Sequence, residues 1–315
     1  MTTTQQRLII GTRGSRLALV QAESIQHALT KKHPHLSIEC KIIKTTGDHV
    51  TDAPISAVGS TGVFTKELEN ELLAGRIDVA VHSMKDLPTE IAAGLTVAAV
   101  AEREDVADVL VAKQGRALDD LSEGATVLTG SARRQGQLLM RRPDLRIENV
   151  RGNVESRLRK LEQSDAAGLI VAAAALHRLG VSCPACGRLD PADFLPAPAQ
   201  GALAIQIRCD DENANRLVSS LDHRPTRLAV SAERAVLARL HGGCQVPLGV
   251  YATLTEDTLH LKAILTDARG RNHLVAQQSG PADTPEALGH AVAQHLLDRG
   301  ARDIVAQVRP NQQET

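Results

Sequence analysis

The chain contains 315 residues, which is enough for two domains or three small ones. Its 36 Lys and Arg residues nearly balance 37 Asp and Glu residues, and the net charge of −1 argues against a globally basic nucleic-acid-binding protein. Aromatic residues make up 1% of the chain, which removes the base-stacking surfaces of single-strand binders. With 43% apolar residues, the composition indicates a globular protein with cores of Ala, Val, Leu and Ile.

The chain also carries signals about its compartment. No apolar run reaches the roughly 18 residues of a membrane span, and the N-terminal segment lacks the apolar stretch of a signal peptide. The five cysteines are an odd number in a long chain without an export signal, so we expect them to be reduced. The sequence therefore predicts a cytoplasmic protein that makes no membrane contact.

Short β-rich runs alternate with helical patterns over the first two thirds of the chain. This alternation predicts parallel sheets flanked by helices. The predicted strands are 7–11, 38–44, 78–82, 95–101, 108–112, 125–129, 145–150 and 168–174, and the first two predicted helices are 16–32 and 66–74. Gly75 stands where a C-terminal glycine cap would end the second of these helices.

The last third of the chain has a different pattern. The predicted elements there are a helix at 226–241, alternating strands at 246–254, 258–265 and 273–278, and a helix at 285–299. This order predicts a small α+β domain that begins near residue 223. Earlier, a polar break at 102–108 indicates a domain boundary, and the Pro-rich segment 195–201 predicts an extended crossover.

One sequence device occurs three times: a β-run ends in small polar residues and arginines that open a helix. It is found at 9–18, 127–135 and 148–157. Free backbone N–H groups and the helix dipole favour an anion at such turns, and arginine forks bind carboxylate or phosphate. Between Arg133 and Lys160 there are nine basic residues and three acidic ones. The turns predict a cleft for a ligand with many negative groups, although ordinary helix caps with solvated arginines would give the same pattern.

A second feature is HSMKDLP, at 82–88, which follows a buried strand. A strand that runs into ionisable residues places them at the carboxyl edge of its sheet. There Asp86 would be a lone carboxylate among cationic groups, able to stabilise a developing cation or to shuttle a proton. A surface ion pair with the neighbouring Lys85 is the alternative.

Two cysteine motifs are candidates for chemistry. Cys244 lies in GGCQVPLG, where two glycines leave the sulfur unshielded, although an unreactive cysteine is the more common case. Cys183 and Cys186 form a single CxxC. Without a second pair or a nearby His pair, this motif does not indicate zinc. It follows a helix and lies in a loop, whereas thioredoxin-like motifs open a helix after a strand.

Together these segments resemble the hydroxymethylbilane synthase family, also called the porphobilinogen deaminases. The resemblance covers nearly the whole chain, and its motifs fall in the family's order. They are GTRGSRLALVQ, GVFTKELE, DVAVHSMKDLP, EREDVADVLV, RRPDLRIENVRGNVESRL, LPAPAQGAL, AERAVLARLHGGCQVPLG and GARDI. HSMKD and GGCQVP are the most specific of these.

The resemblance implies the fold. It implies an α/β protein with two domains like those of periplasmic binding proteins, built on mixed, largely parallel sheets around a cleft. A small α+β domain follows, which would carry the cofactor cysteine. The implied boundaries are 1–101 with 202–222 for the first domain, 102–201 for the second and 223–315 for the third.

The resemblance also implies an activity. Family members carry a dipyrromethane cofactor, linked through a thioether to the cysteine that matches Cys244. Four porphobilinogen molecules are deaminated and added in sequence to this primer, and hydroxymethylbilane is released with ammonia in tetrapyrrole (haem) biosynthesis. The implied protein is a cytoplasmic monomer that takes porphobilinogen as its substrate and has no metal, nucleic-acid or membrane partner.

The family's site residues fall on matching positions of this chain. Asp86 matches the catalytic carboxylate, which lies against the pyrrole N–H groups. The matching cofactor-binding positions are Ser83, Lys85, Asp86, Thr129, Ser131, Arg133, Arg134, Arg157 and Cys244. The matching substrate-binding positions are Arg13, Ser15, Arg151, Arg178 and Gln200.

The chain departs from the family's pattern at a few positions. Many relatives carry lysines at the positions of Ala57 and Thr61, Gly at that of Ala175, and a small–Gly pair at Pro198 and Ala199. The first two departures affect anion contacts of their loop, and the others would slow elongation or shift hinge motion. Two other classes of function stay open: a non-enzymatic anion-binding module with the same cleft, and a CxxC redox protein.

Overall fold

The structure is a computed structural model that describes residues 7–45, 65–114, 117–183, 186–240 and 246–307. The chain divides into two compact units, Met1–Glu104 with Gly201–Arg227 and Asp105–Gln200 with Leu228–Thr315. The chain thus leaves the first unit and returns to it close to the boundaries predicted at residues 101 and 202. The predicted third domain shares a unit with the second in this division, and its separation stays a prediction.

The predicted elements occur in the predicted order, and the structure adds strands Cys186–Leu189 and Leu203–Arg208 and helices Glu212–Val218 and Ala301–Ala306, which were not predicted. The strands are Arg7–Arg13 (β1), Ser37–Ile43 (β2), Val79–Ser83 (β3), Leu95–Val100 (β4), Asp108–Ala112 (β5), Thr126–Leu128 (β6), Arg146–Glu148 (β7), Gly168–Ala172 (β8), Cys186–Leu189 (β9), Leu203–Arg208 (β10), Leu248–Thr255 (β11), Thr258–Thr266 (β12) and His273–Pro281 (β13). The α-helices are Arg16–Lys32 (α1), Lys66–Leu73 (α2), Ala132–Arg141 (α3), Val154–Gln163 (α4), Ala173–Arg178 (α5), Glu212–Val218 (α6), Arg224–Arg239 (α7), Pro285–Asp298 (α8) and Ala301–Ala306 (α9). The strand predicted at 168–174 is too long, because a run of alanines favours the helix α5 from Ala173 onward.

Each unit contains a five-stranded sheet. The order is β2-β1-β3-β10-β4 in the first unit and β7-β6-β8-β5-β9 in the second. The first three strands of each order pair in parallel, and the other pairings are antiparallel. Strands linked by crossover helices run in the same direction, whereas β5 and β10 follow extended segments that do not impose this direction. The predicted α/β class is confirmed, with mixed sheets that contain parallel strands.

The core of the first unit follows from the strand and helix periodicities. Leu8 and Ile10 share one face of β1, and Ile25 and Leu29 lie one turn apart on α1. All four are at most 3% exposed. Burying each side chain of this size stabilises the fold by about 1.5–3 kcal/mol.

Gly75 follows α2 and has a φ of 67°, the left-handed conformation that ends many helices. The prediction that Gly75 caps the C-terminus of this helix is confirmed.

The last third of the chain forms an antiparallel sheet, β11-β12-β13, with α8 packed against it. Its core includes Leu261, Val292 and Leu296. Gly289 lets α8 approach α7 closely, because a Cβ at this position would lie 2.4 Å from the carbonyl oxygen of Ala232. The α+β pattern predicted for this part of the chain is confirmed.

The cysteines differ from the expectation. Cys183 and Cys186 are joined by a disulfide, so the prediction that all five cysteines are reduced is wrong for this pair. The short spacing brings their Cα atoms to 5.3 Å, within the range that a disulfide spans. Cys186 also begins β9, which pairs with β5, so the second half of the motif belongs to a strand. Cys40 and Cys209 are free thiols, and Cys244 lies outside the described residues.

The Pro-rich crossover contains a strained residue. Ala199 has a φ of 61°, in the left-handed region that disfavours a Cβ, and its N–H donates to Oε2 of buried Glu233 at 2.7 Å. We expect Ala199→Gly to raise the free energy of unfolding by about 0.5–1 kcal/mol, since relief of this strain exceeds the added freedom of the unfolded chain. Urea denaturation followed by circular dichroism measures the change.

Ala197→Gly is the matched control for that variant. Ala197 lies in the same crossover, and its φ is not positive. A glycine there adds freedom to the unfolded chain without relieving strain, so the variant should be less stable by about 0.5–1 kcal/mol. Equal losses in both variants would contradict the strain at Ala199.

Candidate active site

Two parallel strands of the first unit end at the same edge of their sheet. β1 and β3 pair in parallel through Ile10 and Val79, so the residues that follow the two strands meet at the shared carboxyl edge. The predicted site residues that the structure places at this edge are Arg13, Ser15, Ser83, Lys85 and Asp86.

The N-terminal part of α1 contributes two contacts at this edge. Ser15 is the N-cap, and its Oγ accepts a hydrogen bond from the N–H of Ala18 at 3.3 Å. Gln21 is buried and donates its Nε2 to Oγ of Ser83 at 2.8 Å. Gln21 was not among the predicted site residues, although a Gln on the buried face of a helix is a signal that could have found it.

Asp86 is the last residue of a short 3-10 turn, Met84–Asp86, that follows β3. The turn is anchored, because Met84 and Leu87 are buried and the N–H of Met84 donates to the carbonyl of Ala202 at 3.0 Å. Asp86 itself is exposed. The fold therefore holds this carboxylate at the surface on a firmly packed support, which suits contact with a ligand.

His82 lies behind this edge in a buried polar chain. Its Nε2 is 2.9 Å from Oε1 of Gln206, and Nε2 of Gln206 donates to Oε1 of Glu69 at 3.0 Å. Burial lowers the pKa of His82 to about 4; the positive charge of Arg13 adds to this, while the bond to Gln206 opposes it. The ring is therefore neutral at pH 7, and its Nε2–H donates a hydrogen bond to Oε1 of Gln206.

The neutral state of His82 predicts a loss of stability in acid. An unfolded histidine with a pKa of 6.5 binds a proton that the folded protein excludes until about pH 4, so stability falls as the pH drops through this window. The loss from this one group is about 3 kcal/mol. His82→Gln should flatten this part of the pH profile in urea titrations, whereas His260→Gln, at an exposed histidine, should leave it unchanged. An unaltered profile in His82→Gln would contradict the assignment.

The second unit has an equivalent edge. β6 pairs in parallel with both β7 and β8, so the three strands end on the same side of their sheet. Ser131 is the N-cap of α3, and its Oγ accepts from the N–H of Arg134 at 3.4 Å. Thr129 is buried, and its Oγ1 accepts from the N–H of Ser131 at 3.2 Å. Two hydroxyl groups thus stand beside a helix N-terminus, where the dipole favours an anion.

Arg133 and Arg134 lie in the first turn of α3 and are only 4% and 6% exposed. Both contact Asp108, at the start of β5: a nitrogen of each guanidinium is 2.7 Å from a carboxylate oxygen. Gln200 also donates its Nε2 to Oδ1 of Asp108 at 3.0 Å. The structure therefore gives these three predicted ligand-binding residues a shared protein partner that the sequence analysis missed. The available signal was an Asp that begins the apolar strand DVLVA.

The other predicted arginines of the second unit lie nearer to solvent. Arg151 and Arg157 flank Asn153, the N-cap of α4, whose Oδ1 accepts a first-turn N–H at 2.8 Å. Nε of Arg157 donates to the carbonyl of Gly152 at 2.7 Å. Arg178 is the last residue of α5, which follows β8. All three arginines are half-buried, and they belong to the elements that follow β7 and β8.

Family models that match the chain identify the family of the protein that carries these two sheet edges. The family model "Porphobilinogen deaminase, dipyromethane cofactor binding domain" matches residues 8–216, and "Porphobilinogen deaminase, C-terminal domain" matches residues 227–298. The chain belongs to the porphobilinogen deaminase family. The first match spans both sheet edges described above, including Asp86 and the arginines of α3.

Curated relatives and a solved structure are also similar to the chain. Porphobilinogen deaminase of Desulforudis audaxviator is 46% identical over 305 residues, covering 97% of this chain and 99% of that protein. The enzyme of Chromobacterium violaceum is 45% identical, covering 96% and 98%. The solved structure of the methionine-binding protein MetQ is 13% identical with a TM-score of 0.42, covering 68% of this chain and 89% of that one.

Membership of this family makes the chain a transferase of tetrapyrrole biosynthesis with a dipyrromethane cofactor. The alternatives of a non-enzymatic binding module and a CxxC redox protein are thereby set aside. Among the described residues, no helix combines the length and apolar character needed to cross a membrane. The same residues contain no group of three His, Cys, Asp or Glu side chains placed to hold a metal ion.

The residues present fit a cofactor that carries several carboxylates. Nε of Arg133 is a buried donor without a hydrogen-bond partner among the described residues. Two guanidinium groups share the single carboxylate of Asp108, which leaves an excess of positive charge beside the N-terminus of α3. Such a donor set suits an anionic side arm. Cys244, Ala57 and Thr61 lie outside the described residues, so the attachment point stays a prediction.

Proposed function

We propose that the chain deaminates four porphobilinogen molecules and joins them in sequence to a dipyrromethane primer held by a thioether to Cys244. Four ammonia molecules are lost, and one water molecule cleaves the bond between the primer and the added tetrapyrrole and becomes the hydroxyl group of hydroxymethylbilane. The protein works as a cytoplasmic monomer without a nucleic-acid or membrane partner. The main support is the exposed carboxylate of Asp86, at a sheet edge that also carries Arg13, Ser83 and Lys85. This setting suits an anionic substrate that develops positive charge at its reacting centre.

The basic and hydroxyl side chains bind the carboxylate side arms in this proposal. Each pyrrole carries an acetate and a propionate, and a guanidinium group binds a carboxylate through two parallel N–H donors. The residues assigned to the incoming substrate are Arg13, Ser15, Arg151, Arg178 and Gln200. Those assigned to the cofactor are Ser83, Lys85, Thr129, Ser131, Arg133, Arg134 and Arg157.

In this proposal, Asp86 stabilises positive charge at the reacting pyrrole and holds a proton there. Loss of ammonia leaves the methylene carbon of the substrate electron-deficient, with positive charge shared by the ring nitrogen. A carboxylate against that N–H stabilises the charge and holds the proton that the ring must give up or regain. The bound cofactor supplies the pyrrole carbon that is the nucleophile. The anchored turn keeps Asp86 in place while the carboxylate-binding residues orient the substrate.

A stoichiometric turnover assay tests this function. Purified protein supplied with porphobilinogen should release one ammonia for each porphobilinogen consumed, and one linear tetrapyrrole for every four. Ammonia determination and mass spectrometry of the small-molecule products measure both ratios. Saturable binding of porphobilinogen without its consumption would overturn the proposal and favour a binding module.

A further inference from the structure

Asp108 joins three of the predicted ligand-binding side chains in one buried cluster. Its carboxylate is 0% exposed. Oδ1 accepts from Nη2 of Arg134 at 2.7 Å and from Nε2 of Gln200 at 3.0 Å, and Oδ2 lies 2.7 Å from Nη1 of Arg133. The partners come from separate segments, the first turn of α3 and the crossover before β10. The cluster therefore exists only once the unit has folded.

The cluster carries more positive than negative charge. Burial opposes ionisation of Asp108, but the charges of Arg133 and Arg134 outweigh it and hold the pKa of this carboxyl well below its usual range. One ionised carboxylate thus balances one of two guanidinium groups. The N-terminus of α3 adds the positive end of its dipole. Because a buried excess of charge is costly unless an opposite charge completes it, the cluster points to an anionic ligand.

Both guanidinium groups are held on more than one side. Besides its contact with Asp108, Arg134 donates Nη1 to the carbonyl of Ile170 in β8 at 2.9 Å. Nη1 of Arg133 donates to the carbonyl of Leu195 at 2.7 Å, and its Nε remains a buried donor without a partner among the described residues. The carboxylate and these carbonyls together fix the two side chains in single orientations, which lowers the entropy that a bound carboxylate would have to remove.

We propose that Asp108 is a positioning residue for carboxylate recognition: it fixes the guanidinium groups of Arg133 and Arg134 so that the pair presents one net positive charge and oriented N–H donors to a carboxylate side arm of the bound pyrrole chain. The proposal rests on the proposed function, in which these two arginines bind the cofactor. It adds a role for a fully buried residue that acts through the two arginines.

Charge and position make opposite predictions for Asp108→Asn. Removal of the carboxylate raises the net charge of the cluster from one positive charge to two, so attraction alone would strengthen the binding of an anion. Loss of the fixed geometry weakens it, because mobile guanidinium groups no longer meet the carboxylate with aligned donors. Stronger anion binding in Asp108→Asn would therefore indicate that charge dominates, and weaker binding would indicate that positioning dominates.

The experiment compares Asp108→Asn with Asp108→Glu, which keeps the charge but adds a methylene group. Asp144→Asn is the matched control, because Asp144 pairs with Arg142 at the other end of α3, at 2.7 Å. Circular dichroism and size-exclusion chromatography check the fold of each variant. Intact mass under denaturing conditions gives the fraction that carries covalent cofactor. KM and kcat for porphobilinogen are then measured and normalised to that fraction.

The positioning role predicts a lower cofactor fraction in Asp108→Asn. It also predicts a KM raised about 10- to 100-fold, with a smaller change in kcat, because Gln200, which is assigned to the incoming substrate, donates to the same carboxylate and loses this charge-assisted hydrogen bond. Asp108→Glu should fall between Asp108→Asn and the parent, and Asp144→Asn should match the parent. A folded Asp108→Asn with full cofactor and an unchanged or lower KM would overturn the proposal. If Asp108→Asn does not fold, Asp108→Glu decides by the same criteria.

Failure of the proposed function is a separate result. It would appear in the parent protein as absence of porphobilinogen turnover, before any variant is compared. A parent that turns over normally, together with Asp108 variants that do not change cofactor loading or KM, would overturn only the role of Asp108.

Discussion

Asp86→Asn should keep the fold and the covalent cofactor and lose nearly all turnover. Asp86 is exposed, and its turn is held by buried Met84 and Leu87, so the amide replaces the carboxylate without disturbing packing. The amide cannot neutralise a cation or accept the proton of a pyrrole N–H. We expect kcat to fall by about 10²- to 10⁴-fold, the usual contribution of a positioned acid or base.

Single-turnover and steady-state rates on protein of verified cofactor content measure this effect. Glu90→Gln is the matched control, because Glu90 is an exposed carboxylate in the same connection between β3 and β4. It should keep the parent rate. A near-normal kcat in Asp86→Asn would remove this residue from the mechanism.

Cys244→Ser should produce a folded protein that lacks the cofactor and has no turnover above background. A serine hydroxyl at this position is a far weaker nucleophile than a thiolate, so the thioether cannot form. Without the primer, the chain has nothing to extend, and the aldehyde reagent for pyrroles should give no colour with the protein.

Cys209→Ser separates this effect from a general need for thiols. Cys209 is a free, exposed cysteine of the first unit, and its variant should keep both colour and turnover. If Cys244→Ser still gave colour with the aldehyde reagent and Cys209→Ser did not, the cofactor would be attached to Cys209, which would contradict the assignment to Cys244.

Local sequence patterns predicted much of the fold and part of the site. The three strand-to-helix turns were visible because Ser15, Ser131 and Asn153 are good N-caps, and the structure confirms each as a cap. These residues form ordinary helix caps, and the same positions are the ones predicted to bind anions, so capping does not exclude anion binding. The site function of these turns stays a prediction.

Features that depend on distant segments were not predictable in this way. Asp108 is 25 residues before Arg133, and no spacing rule connects a strand start with a later helix; the two arginines therefore looked free for ligand. The antiparallel entry of β10 depends on the return of the chain to the first unit. The disulfide between Cys183 and Cys186 was not predicted, because the odd number of cysteines favoured reduced thiols.

The most direct test of this account is the intact mass of freshly prepared protein under denaturing conditions. We expect a mass above that of the polypeptide by two linked pyrrole units, with the increment on the peptide that contains Cys244. A polypeptide that weighs no more than its amino acids, in a preparation that still consumes porphobilinogen, would contradict it.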